Sequence, residues 1–436
     1  MSTTNTDTES DRTATFESYP LGTIDPARSR HMWTRSAVHV DGDLVVAGQW
    51  NGTVTAFDAP ETEPGSLECR WTVDHPDHAV GITTLPGEDA AETGTDDAVI
   101  VAGRGKTGTI AAYDAATGDR RWSYDTVDDV GEHVQDSIFY LPYVVALESA
   151  GADADPMLYA AARRYERDGE TRQWHSVVLA FDADGTVRWR YETDASPIAI
   201  DLAEDGTRLA VGYNRCMGDH DTGLVMLEAE TGDLAWTWDP GTEGDRRVGD
   251  VAIDGETVAV ASHGDKRGYL LGPGGAERWA VDLATETDIE GETLYAYPNH
   301  AAASDGRATF VTGNTYAIKS RETENRHPNE HRIATFDGAG NQLWDTAVRG
   351  FVHGLATDGD RIAAPCAQNF RVRDPDTHAV RWFDRDSGQD GCERLESVAT
   401  AVAVDGETIA AIEEPVAYHD DGRIRGEYAL RVGSLE

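Results

Sequence analysis

Gly108-Thr-Ile-Ala-Ala-Tyr-Asp-Ala-Ala-Thr-Gly-Asp-Arg-Arg-Trp122 decides the fold, because degraded copies of it recur along the whole chain. It reads as a strand, a tight turn at Thr117-Gly118-Asp119 and a second strand that ends in tryptophan. Clear copies are Gly52-Thr-Val-Thr-Ala-Phe-Asp58 running on to Trp71, Val177 to Trp189, and Gly223 to Trp236. Weaker copies run from Gly268 to Trp279, Ile333 to Trp344 and Phe370 to Trp382. A repeat of roughly 40–50 residues made of short strands is the signature of a propeller or solenoid.

A second unit stands before each copy: a run of small residues, then Asp-Gly, then a β-rich run. Ser36-Ala-Val-His-Val-Asp-Gly-Asp-Leu-Val-Val-Ala47 is one example, and Gly249 to Ala261 and Ala399 to Ala411 are others. Asp-Gly between apolar runs is a hairpin signal, since a two-residue turn needs positive φ at both central positions. Joining the two hairpins gives a four-stranded antiparallel unit, one propeller blade.

Seven such units end on a tryptophan: Trp71, Trp122, Trp189, Trp236, Trp279, Trp344 and Trp382. An eighth set at 398–404, 408–412 and 426–432 has three strands and no tryptophan strand. Its missing outer strand is expected from Thr13-Ala-Thr-Phe-Glu-Ser-Tyr19, because an unclosed ring would expose a pairing edge. The expected fold is therefore all-β, an eight-bladed propeller closed by an N-terminal strand, with seven blades as the alternative. Residues 1–12 read as a polar, disordered tail, and 13–436 as one propeller domain.

The pattern Gly-x-φ-x-Ala-φ-Asp-x-x-Thr-Gly-x-x-x-Trp resembles the tryptophan-docking repeat of quinoprotein (PQQ-type) β-propellers, over about residues 14–434. That family holds quinone-dependent alcohol dehydrogenases and non-enzymatic relatives such as the propeller lipoprotein of outer-membrane protein assembly. The resemblance implies that the tryptophans wedge between neighbouring blades. Its enzymes carry adjacent cysteines over the quinone, a tryptophan beneath it and Glu/Asn/Asp ligands for calcium. Cys69, Cys216, Cys366 and Cys392 are scattered, with neither adjacent cysteines nor Cys-x-x-Cys spacing. PQQ binding is thus not expected, no cofactor is expected, and the non-enzymatic branch is the closer match. Structural zinc is not expected either. The sequence leaves open whether Cys366 and Cys392 approach each other.

Acidic residues number 79 against 37 basic ones, a formal charge of −42, and only Lys106, Lys266 and Lys319 are lysine. This composition resembles that of salt-in halophilic archaea, where molar salt screens self-repulsion. No basic stripe exists to neutralise phosphates, so nucleic acid is not an expected partner. No run approaches the length of a membrane-spanning helix. The first residues lack an n-region, an apolar h-region, a twin-arginine motif and a lipid-anchoring cysteine, so a cytoplasmic location is expected.

Catalytic signatures are missing: there is no Gly-x-Ser-x-Gly elbow and no His-Glu-x-x-His. Gly103-Arg-Gly-Lys-Thr-Gly108 lies between two strands and reads as a hairpin connection, not a phosphate loop. Polar residues do gather where strands enter the channel. His300 and His353 stand five residues before Asp305 and Asp358, and His78 and His133 stand at strand entries. Around them lie Arg35, Gln135, Asp136, Arg247, Asp250, Asn299 and Glu396. Converging histidines and carboxylates could hold a small ligand or a metal. Two arginine-bearing insertions, Arg163–Trp174 and Lys319–Glu330, lie between second and third strands and read as docking loops on one face. The expected function is a non-enzymatic scaffold with a protein partner in a high-salt cytoplasm. The alternative is a ligand-binding or enzymatic propeller using the channel mouth.

Overall fold

The computed structural model describes residues 15–28, 36–59, 67–87, 97–150, 156–367, 374–388, 390–418 and 422–435. The tail at 1–12, Thr13, Ala14, Arg35 and Phe370 lie outside them. Nearly all regular structure is antiparallel β-sheet.

Ala37–Asp41, Leu44–Gly48, Thr53–Asp58 and Glu68–Asp74 form the first four-stranded sheet in chain order. His78–Leu85, Ala98–Arg104, Thr109–Asp114 and Arg120–Asp125 form the next, and Tyr143–Ser149, Met157–Asp168, Thr171–Asp182 and Val187–Thr193 the one after. A single pair, Tyr143 with Arg104, bridges these two. Further sheets begin at Ser196–Leu202, Val248–Asp254 and Pro298–Ser304. In another, Arg361–Ala367 pairs with the short strands Phe351–Val352 and Ala356–Thr357. The last four-stranded sheet orders Val398–Asp405, Thr408–Glu414, Ala429–Ser434 and Thr15–Pro20, and two small three-stranded sheets lie beside these.

The N-terminal strand is thus the outer strand of the C-terminal sheet, with Phe16 opposite Gly433 and Pro20 opposite Ala429. First strands touch from the Ala37–Asp41 sheet to the Pro298–Ser304 sheet, which joins the next sheet by packing Val311 and Ile333 on Ile362, and Ala37–Asp41 contacts both His78–Leu85 and Val398–Asp405, which closes the circle. At Asp305-Gly306 both central residues take positive φ, 52° and 72°, whereas Asp41, Asp254 and Asp405 end their strands and only the glycines Gly42, Gly255 and Gly406 are left-handed.

Sheet faces carry the core. One cluster joins Val46, Val54, Ala56 and Trp71 to Val99, Val101, Ala111 and Tyr113 of the next sheet. Another joins Tyr159, Val178 and Trp189 to Leu209, Val211 and Val225. Each sheet is therefore buried on both faces by its neighbours, which explains strands such as Leu44–Gly48 that are buried throughout.

The tryptophans lock this packing. Trp71 Nε1 donates to the Ala115 carbonyl at 2.9 Å, Trp122 to Ala183 at 2.9 Å and Trp189 to Ala229 at 2.8 Å, each acceptor lying in the next sheet. Trp279 and Trp344 donate likewise to Gly338 and Arg385. The ring lies on the turn glycine of that sheet: a Cβ on Gly118 would stand 2.8 Å from Trp71. Trp236 lies against Gly275 in the same way. Trp382 differs. It sits on the third strand, Ala379–Asp384, and the outer strand is Asp390–Arg394. The repeat is shifted here, because the turn that receives Trp344 is Arg385–Gly388, after Trp382 rather than before it. The Arg163–Trp174 insertion is also no loop. It prolongs Met157–Asp168 and Thr171–Asp182 into a ribbon whose residues pair to Asp168↔Thr171.

Candidate functional site

In a four-stranded antiparallel sheet, the first strand starts and the second ends at one edge. Here His78 pairs with Arg104, Tyr143 with Arg163, Ser196 with Arg215, Val248 with Ser262, Pro298 with Thr312 and Val398 with Glu414. All lie on one face of the ring, the entry face. A bulge follows in each first strand, between Ala79 and Gly81, Val144 and Ala146, Val248 and Asp250, or Pro298 and His300, for example.

The polar residues singled out in the sequence divide into small groups on this face. His300 lies between two neighbouring sheets, with Nδ1 3.6 Å from Asp250 Oδ2 and Nε2 3.0 Å from the Val352 carbonyl. Asp250 also accepts from the Ala301 amide at 3.0 Å, so the pair stitches first strands together. His353 lies beside this pair with Nε2 buried and unpartnered; burial, then His300, push it down to about 4. Asn299 lies near His263, whose Nδ1 meets Asn214 Nδ2 at 2.7 Å and whose ring is lowered to about 3 by burial and then by Arg246. Arg247 clamps the 239–244 segment, 3.0 Å from Asp239 Oδ2 and donating to the Gly244 carbonyl. His133 approaches Asp136 at 3.6 Å in an exposed loop that also carries Gln135. His78 makes its contacts elsewhere: it stacks on Trp50 at 3.7 Å and 4° and bonds its carbonyl. Glu396 is exposed, and its carbonyl faces His378 Nδ1 at 3.4 Å.

Among the described residues, no group of three or more His, Cys, Asp or Glu side chains is placed to hold a metal ion. The four cysteines are free and none adjoins another in sequence. Cys366 and Cys392 share one packed cluster, and burial pushes the Cys366 thiol up to about 12. These residues do not fit the quinone-and-calcium constellation. The Gly103–Gly108 connection is tied down by a carboxylate, Asp77, which accepts from Thr107 and from the Thr109 amide at 2.9 Å each.

One pocket of the entry face was not foreseen. A pocket of about 440 Å³ is lined by Arg104, Arg163, Arg167, Arg172 and Arg215 and by no carboxylate. Arg104, Arg163 and Arg215 occupy one equivalent position in three successive sheets, where the second strand meets the start of the first. The guanidinium carbons of Arg104 and Arg163 stand 4.5 and 5.7 Å from the centre of the Tyr143 ring. Arg104 donates to the Ile138 carbonyl at 2.8 and 3.1 Å, and Arg163 to Ser196 Oγ. Burial lowers both cations; for Arg163, Tyr143 opposes this and Arg104 adds to it, leaving it near about 10. Arg215 is lowered by burial, then by Arg246 and Arg172. The signal was present in sequence as small-residue runs ending in arginine, Ala102-Gly-Arg104, Ala161-Ala-Arg163 and Tyr213-Asn-Arg215.

Residues 51–265, under half of the chain, match the family model described as outer membrane protein assembly factor BamB. BamB from Moraxella catarrhalis is 14% identical with a TM-score of 0.53, covering 97% of this chain and 98% of that one. Saccharomyces cerevisiae Sqt1 is 13% identical, TM-score 0.57, covering 96% and 98%. A europium-containing methanol dehydrogenase is 12% identical, TM-score 0.59, covering 96% and 92%. No curated protein sequence matches the chain. Identities this low speak to the fold alone: this chain is similar to BamB-like repeat proteins and folds as they do, as a β-propeller. One of these structures is an enzyme, so the fold does not decide the activity.

Proposed function

We propose that this chain is an eight-bladed, non-enzymatic propeller whose entry face docks a protein partner in a high-salt cytoplasm. The blade count rests on the four-stranded sets and their closure by Thr15–Pro20. The observation that carries the docking reading is where exposed apolar side chains fall. Among the described residues, the large exposed ones are Val134, Phe139, Met217, Tyr316, Ile318 and Ile424, with Leu234 and Leu343. The first six lie in segments that lead into a first strand or connect a second to a third, all at the entry face. Leu234 and Leu343 lie on outermost strands. Apolar groups concentrated on one face of an otherwise carboxylate-rich ring mark an interaction surface. The acidic composition supports the high-salt setting.

A photocrosslinking residue at Phe139 or Ile318 should give a discrete adduct in molar-salt extracts, and one at Asp205, in a turn of the opposite face, should not. Adducts from Asp205 as abundant as those from Phe139 would reject the entry face as the docking surface.

A further inference from the structure

We propose that the arginine pocket binds a small polyanion, one that combines phosphoryl or carboxyl groups with a planar ring. The inference is independent of any protein partner. It starts from charge bookkeeping: with 79 acidic residues to 37 basic ones, a carboxylate is the default neighbour of any arginine here. Several arginines elsewhere follow it, although among the described residues Arg246 and Arg385 also make no ion pair; what sets the pocket apart is that no carboxylate lines it. Arg70 pairs with Asp43 and Asp58, Arg190 with Asp129 and Arg431 with Glu413. Arg104, Arg163 and Arg215 break it, for among the described residues none lies within ion-pair distance of a carboxylate.

Holding these cations here costs free energy, first through burial, then at Arg163 through repulsion by Arg104 and at Arg215 through repulsion by Arg246 and Arg172. An anionic ligand offsets that cost when it binds. The guanidinium groups are also pre-placed. Tyr143 supports two of them, and Ile138 and Ser196 fix their orientation. Rigid forks of this kind suit oxyanions, which accept two parallel hydrogen bonds.

The ring requirement comes from the remaining walls. Tyr140, Tyr165 and Trp174 form a continuous aromatic surface, with centroids 5.3 and 5.0 Å apart. Phe139 stands at the pocket with 57% of its surface exposed. A volume of about 440 Å³ suits a small molecule and is too small for a nucleic-acid duplex. At the equivalent position across the ring, Glu414 replaces arginine and is satisfied by Ser36 and Thr400, so the positive arc is local.

The test is calorimetric titration of the full chain in molar KCl with ATP, tripolyphosphate, trimesate, citrate and adenosine. ATP or trimesate should bind saturably at one site, and which of them does so separates phosphoryl from carboxyl ligands. The ring-free counterpart should bind about tenfold more weakly or less, and adenosine not at all. Arg163→Gln and Arg172→Gln should each weaken binding by about tenfold. Arg172 is exposed on the ribbon, so that variant should keep the parent melting temperature. The proposal fails if neither ATP nor trimesate binds, if both variants bind like the parent, or if tripolyphosphate and citrate match their ring-bearing counterparts.

Discussion

Trp382 stands directly opposite Gly391 across two adjacent strands, the reverse of the arrangement in the other tryptophan-bearing sheets. There the outer strand carries the tryptophan, as Trp71 opposite Ala56 and Trp122 opposite Ala112. In this sheet the third strand carries it and the outer strand makes room. The ring still reaches the next sheet, meeting Phe16 of the closing strand at 6.0 Å. Trp382 thereby joins its own sheet to the one that Thr15–Pro20 completes.

The exchange makes Gly391 indispensable. A Cβ there would lie 2.2 Å from the Trp382 ring. Gly391→Val should lower unfolding free energy by about 2 kcal/mol or more through overpacking, read from urea denaturation. Gly244→Ala, at a site with nothing within 4 Å, should change it by about 0.5 kcal/mol or less. Equal effects would contradict this packing.

Removing residues 1–20 should cost far more stability than removing 1–10. The longer cut strips Ala429–Ser434 of its partner and takes away Tyr19, which packs edge-on to Phe57 at 4.6 Å. It also leaves an unpaired edge that should promote self-association. Sedimentation and thermal melts of both truncations check this; matching melts would show that the strand does not close the ring.

The contribution of the Asp201–Glu148 pair to stability should fall as pH rises from about 4 towards about 8. Asp201 is pushed up to about 7 by burial and then by Asp250, and Glu148 is raised by burial and then by Asp201. A carboxyl raised in the folded state holds its proton more tightly there, so its contribution is full at low pH and lost as pH climbs through the folded value. Asp201→Asn should flatten the melting-temperature profile between pH about 4 and about 7. An unaltered slope would show that this pair does not set it.

Lowering salt should loosen the ring. The screening length grows from about 3 Å at 1 M to about 10 Å at 0.1 M, exposing repulsion among the excess carboxylates. Circular dichroism and melting temperature should both decline over that range; constancy would reject the high-salt setting.

The hairpins were legible because turn chemistry and tryptophan spacing are local. The closing strand was legible too, since an incomplete sheet at one terminus calls for a strand from the other. Trp382 misled because sequence spacing places it like the other tryptophans, while strand register depends on the turn that receives Trp344. His300 and His353 share an offset from Asp-Gly, yet only His300 lies in a strand; the chain breaks between Phe351–Val352 and Ala356–Thr357. Equal spacing does not survive such a break. The arginine arc lies in three separate repeats and gathers only once the ring has closed.

The docking claim is tested most directly by measuring one captured partner's affinity for paired surface variants in molar salt. Phe139→Ser with Ile318→Ser should weaken it by about a hundredfold, while Leu234→Ser with Leu343→Ser on the outer strands leaves it unchanged. Binding that survives the first pair and is lost with the second would place the partner on the rim and contradict the entry-face account.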